Sequence, residues 1–218
     1  MRNSARPHPS WRSCLDRAAI VSLLLAAPSS AAFAQVAQPA AVAAEPAALS
    51  ADLVRVRAAL DRYRDPIAAV YDGYLSSVGC IEYPHGSSEG AMRYVPGGMG
   101  VHFLNPQFIG SALDPAKPQV LIYEPRGGAL HLVAAEWFVP VGAAGQQRPA
   151  IFGRELDGPM EGHAPLMPAG LHHYDLHVWL WKHNPAGTFS PTNPAVSCPK
   201  GDYSFAERAP KTVPHGRH

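Results

Sequence analysis

Long apolar runs are missing from this sequence, and so is any excess of charge. The most apolar segment, Ala18–Ala27, covers ten residues, about half of the roughly 20 that a membrane-crossing helix needs. No span is therefore expected in the mature chain. Lysine and arginine number 18 against 17 acidic residues, a balance with no basic field for a nucleic acid. The three cysteines include no paired CxxC, which argues against zinc ribbons and thioredoxin-like redox sites. The sequence also lacks a GxSxG elbow, an HExxH helix, a P-loop and an EF-hand loop, so the commonest motif-bearing enzyme classes are disfavoured. "GGMG" at 97–100 precedes a predicted strand rather than a helix, and reads as a turn instead of a phosphate cradle. No repeat of fixed period is visible, so solenoids and propellers lack support.

The N-terminus has a recognisable layout. Arg2, Arg6, Arg12 and Arg17 precede the apolar run, and Ala32-Phe33-Ala34 supplies a small-x-small cleavage site. Residues 1–34 are therefore expected to be a secretory signal peptide. A lipid-anchored form is not expected, because Cys14 lies before the apolar run. Removal of this segment takes away four arginines and one aspartate, leaving 14 basic against 16 acidic side chains. The mature protein should be soluble and periplasmic or secreted. In that oxidising setting Cys80 and Cys198 are expected to form a disulfide.

Residues 35–49 are alanine- and proline-rich and read as a flexible leader. A single β-rich domain with a helical start is expected over 50–205. Ser50 is a suitable N-cap for a helix with Leu53, Val56, Leu60 and Tyr63 on one face. Pro66 interrupts it, and Asp65 then caps a second helical stretch carrying Ile67, Val70, Tyr71 and Tyr74. Beyond Cys80 the pattern changes to short alternating runs, "MRYV", "GVHFL", "AIFG" and "HYDLHVWLWK" among them. "QVLIYE" and "LHLVAAEWFV" flank a Gly-Gly pair and predict a β-hairpin. Residues 206–218 read as a disordered tail. The expected fold class is mainly β (α+β), an antiparallel β-barrel or two-layer sandwich preceded by an N-terminal helical segment.

Histidine is concentrated where the last strand is expected. Five of the eleven histidines, His163, His172, His173, His177 and His183, fall in one short stretch, and imidazole is the commonest transition-metal ligand. Alternation along "HYDLHVWLW" places Tyr174, Leu176, Val178 and Leu180 on one face. His173, Asp175, His177, Trp179 and Trp181 take the other, while His172 and His183 fall outside. Positions two apart on a strand lie about 6.6 Å apart and positions four apart about 13 Å. His173 and His177 therefore need donors from other strands to complete a site. Glu136, on the parity of Leu132, Ala134 and Phe138, points a carboxylate into an apolar face, where it needs a partner. His102, within "GVHFL", and His163 are further candidates. Two histidines and a carboxylate suit non-haem iron, and three histidines suit zinc. The expected cofactor is thus a divalent transition metal (zinc, iron or copper) held by some of His102, Glu136, His163, His173 and His177. If the protein is an enzyme, the metal would act as a Lewis acid or activate bound water or oxygen, with Asp175 as an orienting group or proton acceptor.

The stretch "GHAPLMPAGLHHYDLH" partly resembles the second motif of the cupin family, with Gly162, Pro168, Gly170 and His173 at that motif's spacing. It departs from the motif at His177, where the family has asparagine, and no upstream HxH followed by glutamate supplies the first motif. The resemblance covers sixteen residues and implies a β-barrel, without carrying over the family's ligands. Two other readings stay open. One is a non-catalytic module binding a small apolar or aromatic ligand through Trp137, Tyr174, Trp179 and Trp181. The other is an envelope structural protein with incidental histidines.

Overall fold

A computed structural model describes residues 48–215, apart from 111, 146, 165, 166 and 202 and the side chain of residue 78. The expected signal peptide and nearly all of the leader lie outside the described residues.

The chain enters through α1 (Ala51–Leu60), a 3-10 turn at Asp61–Arg64 and α2 (Pro66–Tyr71). Ser50 Oγ accepts from the Leu53 amide at 3.3 Å, and Asp65 Oδ1 accepts from the Ile67 amide at 2.9 Å. Each cap satisfies an amide that the first helical turn leaves without a partner. Leu53, Val56 and Leu60 are buried along one face of α1, contributing roughly 1.5–3 kcal/mol each.

Strands follow: β1 (Leu75–Tyr83), β2 (Ser87–Glu89), β3 (Met92–Tyr94), β4 (Gly97–Leu104), β5 (Val120–Arg126) and β6 (Ala129–Pro140). After β7 (Ala150–Ile151) and β8 (Arg154–Glu155) come β9 (Asp157–Met160), β10 (His173–Val178) and β11 (Ser204–Ala206). Seven of them form one sheet in the order β11-β1-β4-β5-β6-β10-β9, antiparallel except for β1 with β11. The sheet curls into a half-barrel, so the protein is α+β and largely β. Two small hairpins, β2-β3 and β7-β8, stand apart from it.

The central strands are buried on both faces. On one face Val101, Phe103, Leu121, Tyr123, Trp137, Tyr174 and Leu176 pack with the α1 residues into the main core. On the other, Val120, Ile122, Ala134 and Trp179 form a second cluster, and Ile81, Tyr83, Tyr94 and Met160 a third. The polar residues considered below share this second face.

Several expectations change. The β5-β6 hairpin forms as expected, with Gly127 and Gly128 at φ 61° and 78°. "GGMG" is not a turn but the first half of β4. Gly98 exchanges backbone hydrogen bonds with Asn193, and a Cβ at Gly97 would lie 2.4 Å from the Asn193 carbonyl oxygen. Glycine there permits close backbone approach. A bulge between the Ile122 and Tyr123 pairings of β5 with β6 shifts the alternation. As a result Leu132 joins the main core while Ala134 packs on the opposite side.

The segment expected as a disordered tail from residue 206 lies along the sheet over its described part. Glu207 donates its amide to Glu82, and Val213 to Pro159, each at 2.9 Å. These bonds satisfy groups on β1 and β9 that sheet edges otherwise leave open. Cys80 and Cys198 form the expected disulfide, with Cα atoms 5.5 Å apart, compatible with an oxidising, exported location. No described helix is long and apolar enough to cross a membrane.

Candidate metal centre

Strand alternation holds through β10, where His173, Asp175 and His177 are all buried. Pairing with β6 sets His177 directly opposite Glu136 and Asp175 opposite Phe138. His102 reaches the same space from β4, across β5, and His163 enters on the connection between β9 and β10.

These residues converge on two points rather than one. Around the first, the Nε2 atoms of His102 and His177 lie 3.6 and 3.5 Å from Glu136 Oε2. Around the second, the Nε2 atoms of His173 and His163 lie 3.4 and 3.8 Å from Asp175 Oδ2. Within each triad the donor atoms fall inside 4.8 Å of one another. An ion with bonds of 2.0–2.1 Å in tetrahedral geometry separates its ligands by about 3.4 Å. Octahedral ligands would lie about 3 Å apart. Both triads therefore match tetrahedral spacing more closely, and their imidazole content favours a transition metal over magnesium or calcium.

The two triads are joined through Asp175, whose Oδ1 lies 3.8 Å from His177 Nδ1. A ring of outer contacts fixes some of the imidazoles. His173 Nδ1 is 3.2 Å from the Leu171 carbonyl oxygen, and His163 Nδ1 is 3.4 Å from Glu207 Oε2. Tyr83 donates to the same Glu207 oxygen at 3.1 Å. By contrast, Glu136 Oε2, both ring nitrogens of His177, and the Nε2 atoms of His163 and His173 have no hydrogen-bond partner. Buried polar atoms without partners cost about 1–3 kcal/mol each. Such a concentration in one space is therefore expensive.

Electrostatics sorts the charges. Burial lowers His102 to about 3, helped by His177 and His163, so its imidazole is neutral at physiological pH. Burial also lowers His177 to about 4, against the opposing pull of Asp175. Glu136 is pushed well above the usual carboxylate range by burial and then by Asp175, which favours its protonated form in the absence of a cation. Burial alone would raise Asp175, but the facing His173, His177 and His163 hold it down at about 2.

An apolar cleft of about 240 Å³ ends on His102 and Glu136, with Leu104, Ile109, Val120 and Phe138 among its walls. His163, His173 and Asp175 do not line it. The cleft thus meets two members of the first triad, while His177 and the second triad do not line it.

The four aromatic residues considered as a ligand pocket are not brought together. Trp137 and Tyr174 lie in the main core, with the Trp137 indole donating to the Asp114 carbonyl at 2.9 Å. Trp179 packs in the second cluster on the other face and donates to Ser190. Trp181 packs against the main core and donates to Asp61 at 3.0 Å. Alternation continues past the end of β10, with Trp179 on the second face and Leu180 in the main core, and breaks at Trp181, whose amide bonds the Val133 carbonyl at 3.1 Å. His172 and His183 take no part in either triad. Glu207 went unforeseen, because only long-range pairing of the last segment with β1 brings it near His163.

Comparison with protein-family models, with curated proteins and with solved structures finds no match. The geometry of the site therefore carries the functional argument alone.

Position of the His163 connection depends on Gly162. Its amide bonds the Ala169 carbonyl at 3.0 Å, and a Cβ at this residue would sit 2.0 Å from the Pro168 carbonyl oxygen. Gly162→Ala is expected to cost about 1–3 kcal/mol by overpacking, read as a lowered urea midpoint with unchanged m-value. An unchanged midpoint would show that the connection is loose.

Proposed function

We propose that the chain is an exported metal-binding protein that holds a divalent transition metal through His102 Nε2, His177 Nε2 and the Glu136 carboxylate. The apolar cleft then admits a small molecule with an apolar body to the free side of the ion. One observation carries the reading: Glu136 Oε2 is buried without a hydrogen bond, between two imidazole nitrogens 3.5 and 3.6 Å away. A buried carboxyl so placed is costly alone and well suited to a cation. When bound, the ion would supply Lewis-acid polarisation or an activated water. The chain's own contribution is to hold two neutral imidazoles and one carboxylate, exclude bulk water and orient an apolar ligand. The disulfide is in keeping with export.

Protein purified without a histidine tag and stripped of metal should bind zinc or cobalt(II). At 100-fold excess over Kd the expected stabilisation is about 2.7 kcal/mol, or a rise of about 5–11 °C in Tm. Less than about a tenth of an equivalent bound, with no change in Tm, would sink the reading. Binding also carries a sign in pH. Both histidines are already neutral near pH 7, whereas Glu136 must lose its proton to become a ligand. Affinity should therefore rise with pH, with about one proton released per ion bound to this triad. Calorimetry in two buffers of different ionisation enthalpy measures that number, and proton uptake would contradict the assignment.

A further inference from the structure

We propose that His163, His173 and Asp175 form a second, separate metal site, so that the protein holds two divalent transition-metal ions. The ligand set is distinct from that of the first site.

A carbonyl oxygen only accepts, so His173 Nδ1, 3.2 Å from the Leu171 carbonyl oxygen, carries a proton. Its Nε2 faces Asp175 Oδ2 at 3.4 Å. His163 is held from the same side of its ring. Its Nδ1 lies 3.4 Å from both Glu207 Oε2 and the Tyr83 hydroxyl, which donates to that same carboxylate oxygen. Its Nε2 points at the same Asp175 oxygen from 3.8 Å.

Two imidazole nitrogens and one carboxylate oxygen face one another, all buried, and neither Nε2 has a hydrogen-bond partner. A single metal ion placed among them would give all three atoms a partner. The outer contacts to Leu171 and Glu207 are those that fix ring orientation in metal-bound histidines, where the nitrogen away from the ion donates to a carbonyl or carboxylate.

The imidazole ring of His177 stands between the two sites, its Nε2 toward Glu136 and its Nδ1 toward Asp175. The ions would thus not form the closely bridged pair, about 3.5–4 Å apart, of two-metal hydrolytic centres. Lying away from the cleft, the second ion would tie the His163 connection to β10 while the first meets the ligand. Its donor set and spacing suit zinc or cobalt(II).

Cobalt(II) titration followed by visible absorption, with metal content measured after gel filtration, tests this. The wild-type chain should saturate at two equivalents, and Glu136→Gln and His163→Ala at one each. One equivalent in the wild type, lost in Glu136→Gln, overturns the second site and leaves the first. One equivalent kept in Glu136→Gln but lost in His163→Ala does the reverse. Two equivalents retained in folded His163→Ala also overturn the second site. Should His163→Ala fail to fold, as circular dichroism would show, Glu136→Gln decides: one equivalent supports the proposal and none overturns it.

Discussion

Glu136→Gln is expected to weaken metal binding at the open site by more than about 100-fold, while Glu136→Leu makes the metal-free protein more stable than the wild type. The first effect follows because an amide has the size of the carboxyl but cannot supply the anionic oxygen that two neutral imidazoles require. Loss of an outer hydrogen-bonding partner alone costs about 10–100-fold in metal affinity, so loss of a ligand should exceed the upper end. The second effect follows from the environment. Glu136 is 3% exposed, pairs across the ladder with Val120 of β5, and has an Oε2 atom without a hydrogen bond. Leucine there removes a desolvated polar group and adds apolar burial, a gain of about 1–3 kcal/mol. A carboxyl kept for structure would behave in the opposite way, its removal lowering the metal-free urea midpoint. Chemical denaturation of stripped wild type and both variants, followed by zinc titration, measures the two effects independently. A fall in metal-free stability for Glu136→Leu, with zinc response intact in Glu136→Gln, would return Glu136 to a structural role.

The reach of the sequence differs between the strand and its surroundings. Alternation along β10 placed His173, Asp175 and His177 on one covered face because a strand's period of two is a local property. Glu136 was legible for a related reason, as a carboxylate in an otherwise apolar run. The separation of about 13 Å between His173 and His177 already required donors from elsewhere. It did not say that each histidine would have its own partners. That division depends on pairings made across long loops: β10 opposite β6, His102 reaching over β5, and His163 held by the last segment through Glu207. Trp179 lies on the expected face, whereas the Trp181 placement failed because the strand ends at Val178 and the Trp181 amide turns back to bond Val133. Hydrophobic periodicity carries no mark of that change. The "GGMG" stretch misled for a similar reason. Its glycines relieve contact with Asn193, almost a hundred positions later in the chain, rather than allow a turn.

Reduction of the disulfide should remove about 4–5 kcal/mol of stability, the largest single loss expected outside the metal sites. Cys80 and Cys198 are 118 positions apart, and in the chain-entropy model a closed loop of that order restricts the unfolded chain by about this amount. The loop encloses β2 through β10, and with them every residue of both triads. Its loss therefore acts on the whole folded unit rather than on an edge. The double variant Cys80→Ser/Cys198→Ser is expected to lower Tm by about 8–20 °C, at about 2–4 °C per kcal/mol for a domain of this size. Thermal melts of stripped protein with and without reductant provide the check. The wild type should fall to the level of the double variant, and the double variant should not respond. Because a bound ion stabilises only the folded chain, saturating zinc should recover part of the loss if the sites persist without the cross-link. A double variant that melts with the oxidised wild type would mean that the sheet itself, through β1 with β4 and β11, already holds the two segments together.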